Sequence, residues 1–271
     1  MKKLLALIMA AAMLFAFAGC GNENASSDST PAKSDSETVK ENGKLIIGIT
    51  DYAPLDYEET KGSGEWIGFD ADMAKAFAKT LGVEAEFVVI DWDNKIMELN
   101  AKSIDCVWNG MTISEEVKNG MSVTNAYLKN TQVVVVPKDK AEQYKTLESV
   151  KDLNFSAEAG SAGESALKAL NYNVTAVGAQ ADALMEVRSK TSDAAVIDLI
   201  MAGAVIGEGT SYEDLTYTVG VAEEEIFGVG FRKGSDLTEK LNEFFKTSYA
   251  DGSMMETAKK YGVQESILEQ K

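Results

Sequence analysis

"LNFSAEAGSAGESALKALNYNVTAVGAQADALMEVRSKTSDAAVIDL", Leu153 to Leu199, decides the fold. It reads as strand, helix, strand, helix, strand. The apolar runs of "LNFSAEA", "NVTAVGA" and "SDAAVIDL" are short and bounded by turn residues. "SAGESALKAL" and "ADALMEVRSK" between them carry helical spacing. Strands that alternate with helices imply parallel sheets covered on both faces, hence an α/β fold. Ligands of such sheets bind beyond the carboxyl ends of the strands. Those ends here are Glu158 to Ala162 and Asp198.

The same rhythm runs upstream. "KLIIGIT" (Lys44–Thr50) reads as a strand. "FDADMAKAFAKTLG" places Met73, Phe77 and Leu81 on one helical face, with Asp70 able to cap its start and Gly82 its end. "EAEFVVID", "NKIMELNAK" and "IDCVWNG" follow as strand, helix and strand. "WNGMTISEEVKNGMSVTNAY" (Trp108–Tyr127) reads as a strand end, a glycine turn and a helix start. The rhythm breaks near "TQVVVVPK" and restarts. Downstream come "TYTVGVA", "EIFGVGFRKG" and two helices, "DLTEKLNEFFKTSYADG" and "METAKKYG".

The ends and the composition set bounds. "MKKLLALIMAAAMLFAFAGC" has a basic start and an apolar run, Leu4 to Ala18, shorter than the roughly 20 residues of a spanning helix. It reads as a secretory signal over residues 1–19. Residues 20–42 hold almost no large apolar group and read as a disordered tether. The formal net charge of −17 argues against nucleic acid as partner. There is no histidine, so Ser-His and Cys-His pairs are excluded and the usual zinc sets are unlikely sources of function. The glycine-rich turns match no P-loop or dinucleotide pattern. No cofactor or metal is expected.

Five stretches carry a resemblance. "GEWIGFDADMAKAFAKTLG", "IDWDNKIMELNAKSIDCVWNGMTIS" and "SDAAVIDLIMA", followed by "FGVGFRKGSDL" and "YADGSMMETAKKYG", are similar in order and content to the extracytoplasmic solute-binding proteins of polar amino-acid ABC importers, family 3 type. "FAGC" resembles a lipobox, which makes Cys20 the lipidated mature N-terminus and the outer face of the cell membrane the location. The resemblance implies a two-lobed periplasmic-binding-protein-like fold of type II. Lobe one would span 44–131 and 227–271, lobe two 132–226, joined by two crossing strands with the ligand between. It implies a monomeric receptor, not an enzyme, that delivers an amino acid or amine to a membrane permease. A dehydratase-like enzyme on the same fold, or a sensing input to a separate membrane receptor, are the alternatives.

Carried over position by position, the pocket falls on Tyr52, Trp92, Asn109, Gly110 and Thr112 of lobe one. In lobe two it falls on Gly160, Ser161 and Ala162 at a helix N-terminus, and on Asp198, which would receive the ligand's ammonium. The family arginine that clamps the ligand carboxylate falls on Val117. With Asp51 and Glu158 added, the cleft reads as negative and aromatic, suited to a cationic ligand. Several residues have two readings. Trp92 and Trp108 are cleft wall or core, and Glu158 faces the cleft or solvent. Asp198 is a ligand acid or a helix cap, and Lys118 is a surface residue or a substitute for the arginine. Glu223-Glu224-Glu225 reads as a solvated run at the hinge.

Overall fold

The computed structural model describes residues 33–271. The signal, Cys20 and most of the predicted tether therefore lie outside the described residues. The strands are β1 (Lys44–Ile49), β2 (Tyr57–Glu58), β3 (Trp66–Ile67), β4 (Glu84–Val89), β5 (Cys106–Thr112), β6 (Ser122–Val123), β7 (Leu128–Asn130), β8 (Gln132–Pro137), β9 (Asn154–Glu158), β10 (Asn173–Val177), β11 (Ala194–Asp198), β12 (Leu215–Gly220) and β13 (Glu225–Phe231). The helices are α1 (Asp35–Asn42), α2 (Phe69–Leu81), α3 (Lys95–Asn100), α4 (Glu115–Gly120), α5 (Leu147–Val150), α6 (Ala162–Ala169), α7 (Gln180–Ser189), α8 (Leu199–Val205), α9 (Leu237–Ala250) and α10 (Ser253–Lys260).

Two sheets form from these strands. One is ordered β4-β1-β5-β13-β6, with β7 also paired to β13, and the other β10-β9-β11-β8-β12. β1 runs parallel to β4 and β5, and β9 parallel to β10 and β11. Each sheet takes one returning antiparallel strand in fourth place: β13 against β5, and β8 against β11. The chain passes between the sheets at Thr131, and again between Gly220 and Glu225. The two passages run side by side, because Gly220 pairs with Val133 and Glu225 with Asn130.

Three local expectations change. Asp70 does not cap α2. The first N–H groups of that helix donate instead to the carbonyls of Pro54 and Leu55, at 2.9, 3.0 and 3.2 Å. Such close approach needs Gly68 at the N-cap, where an added Cβ would lie 2.1 Å from the Leu55 oxygen. β5 does not turn at Gly110 but continues through it to Thr112. Part of the predicted tether is a helix: α1 closes a capping box between Ser34 and Glu37 and buries Val39 completely. Arg232 holds it down through Asp35 at 3.2 Å, and Asp236 bonds Ser36. One apolar side chain and a buried-side ion pair sufficed to order a segment whose composition is otherwise polar.

Candidate functional site

A cavity of about 190 Å³ lies between the two sheets, at the carboxyl ends of β5, β9 and β11. Trp92, Lys95 and Thr112 line it from one side, and Glu158, Gln180 and Asp198 from the other. It is smaller than the roughly 300–1,000 Å³ of clefts for drug-sized ligands. A larger groove of about 640 Å³ passes outside the hinge, between Thr131, Leu199 and Val263. None of its lining residues is a buried charge, whereas the smaller cavity concentrates them.

One end of the small cavity is an acid held by amides. Asp198 ends β11 and is 4% exposed. It stands at the N-cap of α8, yet its side chain does not cap that helix. Its Oδ1 accepts from Asn130 Nδ2 and Gln132 Nε2, each at 2.5 Å, and its Oδ2 from Gln180 Nε2 at 2.5 Å. The Asp198 N–H donates back to Gln180 Oε1 at 2.8 Å. Glu225 accepts from the same two amides, at 2.6 Å from Asn130 and 2.7 Å from Gln132, and from the Thr112 hydroxyl at 2.9 Å. Two carboxylates thus share two NH₂ groups. Burial first, and then the Glu225 charge, push the Asp198 carboxyl well above the usual carboxylate range. The buried Tyr52 hydroxyl adjoins Asp198 without a hydrogen bond of good geometry. A cation placed here would relieve the repulsion between the acids and satisfy both.

The other end is a buried lysine. Lys95 opens α3 and is 6% exposed. Its Nζ sits 5.0 Å from the centre of the Trp92 ring and donates to the carbonyls of Trp92 and Gly160, each at 3.1 Å. The Gly160 bond joins the two lobes across the cleft. Burial lowers the Lys95 pKa. Nearby Glu158 is 2% exposed, and its Oε1 has no partner. Burial raises its pKa to about 8, against smaller opposing effects of Thr50 and Lys95. Glu158 is therefore mostly uncharged at pH 7, and the cleft is less negative than a count of its acids suggests.

A model of the bacterial extracellular solute-binding proteins, family 3, matches residues 45–264. The chain belongs to that family. The arginine-binding extracellular protein ArtP of Bacillus subtilis (strain 168) is 30% identical over 266 residues, covering 96% of this chain and 98% of its own. A solved ABC uptake transporter substrate binding protein from Streptococcus pneumoniae with bound histidine matches with a TM-score of 0.78 at 27% identity, over 87% of this chain and 99% of that one. The ancestral amino acid-binding protein AncCDT-1, a precursor of cyclohexadienyl dehydratase, matches with a TM-score of 0.77 at 29% identity, over 84% and 99%. These likenesses give the solute-binding protein its two-lobed, type II α/β fold. The family and these relatives are binding proteins, and the family is extracellular. Among the described residues no helix is long and apolar enough to cross a membrane.

In this solute-binding protein the predicted pocket is only partly assembled as expected. Trp92, Thr112, Glu158, Gly160, Ser161, Ala162 and Asp198 line the cavity. Asp51 is exposed and not among its lining, because the chain turns its neighbour Tyr52 inward instead. Asn109 lines the cavity, but its amide is spent on Thr50 and Asp56, at 2.8 to 3.0 Å. Gly110 also lines the cavity, but its N–H donates to Asp70 at 2.8 Å and is not free for a ligand. The Gly160 N–H goes to Glu164 and the Ser161 hydroxyl caps Glu164 N–H, which places an acid where an anion was expected. Trp108 is core, edge-on to Phe245 and fully buried. Lys118 points to solvent and pairs with Glu115, so it does not replace the arginine. Glu225 is not a solvated residue but part of the acid cluster. Gln132, Gln180 and Lys95 were missed as well. The alternation that hid the glutamines as strand and helix starts carries no mark of function, while Lys95 sat in a pattern position otherwise read as helix surface.

Proposed function

We propose that this protein captures one small α-amino acid and presents it to the membrane permease of an ABC importer. The observation that carries the reading is Asp198: a nearly buried carboxylate, aimed into an enclosed cavity and sharing its amide donors with a second acid. That arrangement suits an ammonium group, whose charge and three donors replace a shared proton. The cavity volume suits a ligand the size of an amino acid. The relatives support the class, since the named ones bind arginine or histidine.

Residues 44–131 with 227–271 act as one lobe and 132–226 as the other, and the ligand selects the closed arrangement by touching both. Cys20 carries the lipid anchor that keeps the receptor at the outer face of the membrane as a monomer. Its role is binding without turnover: the acids lie opposite a single lysine, with no second cation to hold a dianionic substrate. A thermal-shift screen of the L-amino acids tests the reading. A ligand at a hundredfold excess over Kd adds about 2.7 kcal/mol to stability. Stabilisation by at least one amino acid is expected. Stabilisation by none, together with turnover of an organic acid, overturns it.

A further inference from the structure

We propose that Lys95 is the carboxylate anchor of the cleft, and that α3 thereby supplies the cation that α4 lacks at Val117. This rests on reading the cleft as an amino-acid site, and it assigns the end of the ligand opposite Asp198. Val117 and Lys95 line the same cavity. Their helices pack together, since a Cβ on Gly120 would meet Ile96 at 2.7 Å. Trp92, Leu99, Val117 and Met121 belong to one apolar cluster between the two helices. A side chain rooted on α3 therefore reaches the space that Val117, a short apolar group, leaves open.

The lysine is built in rather than draped over the surface. It is 6% exposed, its Nζ lies 5.0 Å from the centre of the Trp92 ring, and its two hydrogen bonds both end on carbonyls. An ammonium has three donors, so one remains to serve a ligand. A buried cation bonded only to neutral acceptors is costly, and an arriving carboxylate offsets that cost. Glu158 is the nearby acid on the second lobe, but burial keeps it mostly uncharged at pH 7. Glu116 lines the cavity from its exposed rim. The cleft thus sets the buried Asp198 carboxyl at one end and the buried Lys95 ammonium at the other. That pairing selects zwitterionic amino acids over amines that lack the carboxylate. Lysine is a point charge, so it holds the carboxylate without the two-pronged geometry of arginine. Its bond to Gly160 also makes the anchor part of the contact between lobes.

Calorimetry on L-arginine, L-histidine and L-glutamine, each beside its α-carboxamide, tests the assignment. The carboxamide keeps the ammonium and removes the negative charge. The wild-type protein should bind at least one acid about tenfold to a hundredfold more tightly than its amide. Lys95→Met should bring that ratio close to one. Lys95→Arg should keep most of it, and Lys95→Met with Val117→Arg should restore it. Lys95→Gln replaces the Met variant if the latter does not fold. A ratio unchanged in the variant overturns the assignment of Lys95, as does equal wild-type binding of acid and amide. Wild-type protein that binds none of the three acids overturns the amino-acid reading beneath it, which is a different failure.

Discussion

Among the described residues, the carboxylate pairs Asp56–Asp70 and Asp198–Glu225 differ in what surrounds them. Asp56 and Asp70 lie beside Asn109 and Gly110 of β5, both fully buried. Asp70 accepts from the Tyr127 hydroxyl at 2.6 Å and Gly110 N–H at 2.8 Å, and Asp56 accepts from Asn109 at 2.8 Å. Burial raises both, Asp70 to about 6. Every donor to this pair comes from the fold, and no part of it lines the cavity. Asp198 and Glu225 instead share the Asn130 and Gln132 amides, and Asp198 faces the cavity. A raised pKa is common to Asp56, Asp70 and Asp198, so it does not mark function. Access to a cavity is what separates the two pairs.

That contrast can be broken first at Asp198. Asp198→Ala should cost about 3–5 kcal/mol of amino-acid binding, because the ligand ammonium is left buried and unpaired. Its thermal stability without ligand should hold or rise, since repulsion with Glu225 is relieved. Calorimetry and a melting curve check both halves. Asp70→Ala should do the reverse. It orphans the Tyr127 hydroxyl and the Gly110 N–H, each worth about 1–3 kcal/mol when left unsatisfied. Denaturant unfolding should show the loss, while the preference among ligands stays as in the wild type.

A smaller effect concerns Glu158. Its folded pKa of about 8 lies above the ordinary carboxylate value, so the folded state binds the extra proton. The contribution is fully favourable below about pH 4.5 and is lost as pH rises towards 8. The slope is at most about 1.4 kcal/mol per pH unit, because one proton is involved. Glu158→Gln should flatten stability against pH over that window and leave the other regions of the profile unchanged. An unchanged slope would mean that Glu158 is hydrated in solution.

The sequence made the fold legible because alternation and helical spacing are local signals. The strand runs and helices between Lys44 and Lys260 could be read without tertiary contacts. Asp198 was legible too, as an acid closing a buried strand. What was not legible depended on distant partners. Asp70 looked like a cap until Pro54 and Leu55 took the helix N–H groups. Gly110 looked like a ligand turn until Asp70 took its N–H. Glu225 sat in a run of three acids, and only its meeting with Asn130 and Gln132 across the chain crossing separates it from Glu223 and Glu224. Lys95 is not legible either, because the cation next to Val117 in sequence is Lys118, whereas Lys95 lines the same cavity from another helix.

The central claim is that the Asp198 carboxylate receives a ligand ammonium, and a double-mutant cycle across the interface tests it most directly. One side of the cycle is Asp198→Asn. The other replaces the best-binding amino acid by its 2-hydroxy acid, which lacks the ammonium. Calorimetry of the four combinations should give a coupling of roughly 1.5–3 kcal/mol, the range of a hydrogen bond to a charged group. Coupling near zero, with Asp198→Asn still preferring the amino acid as strongly as the wild type, would contradict the account.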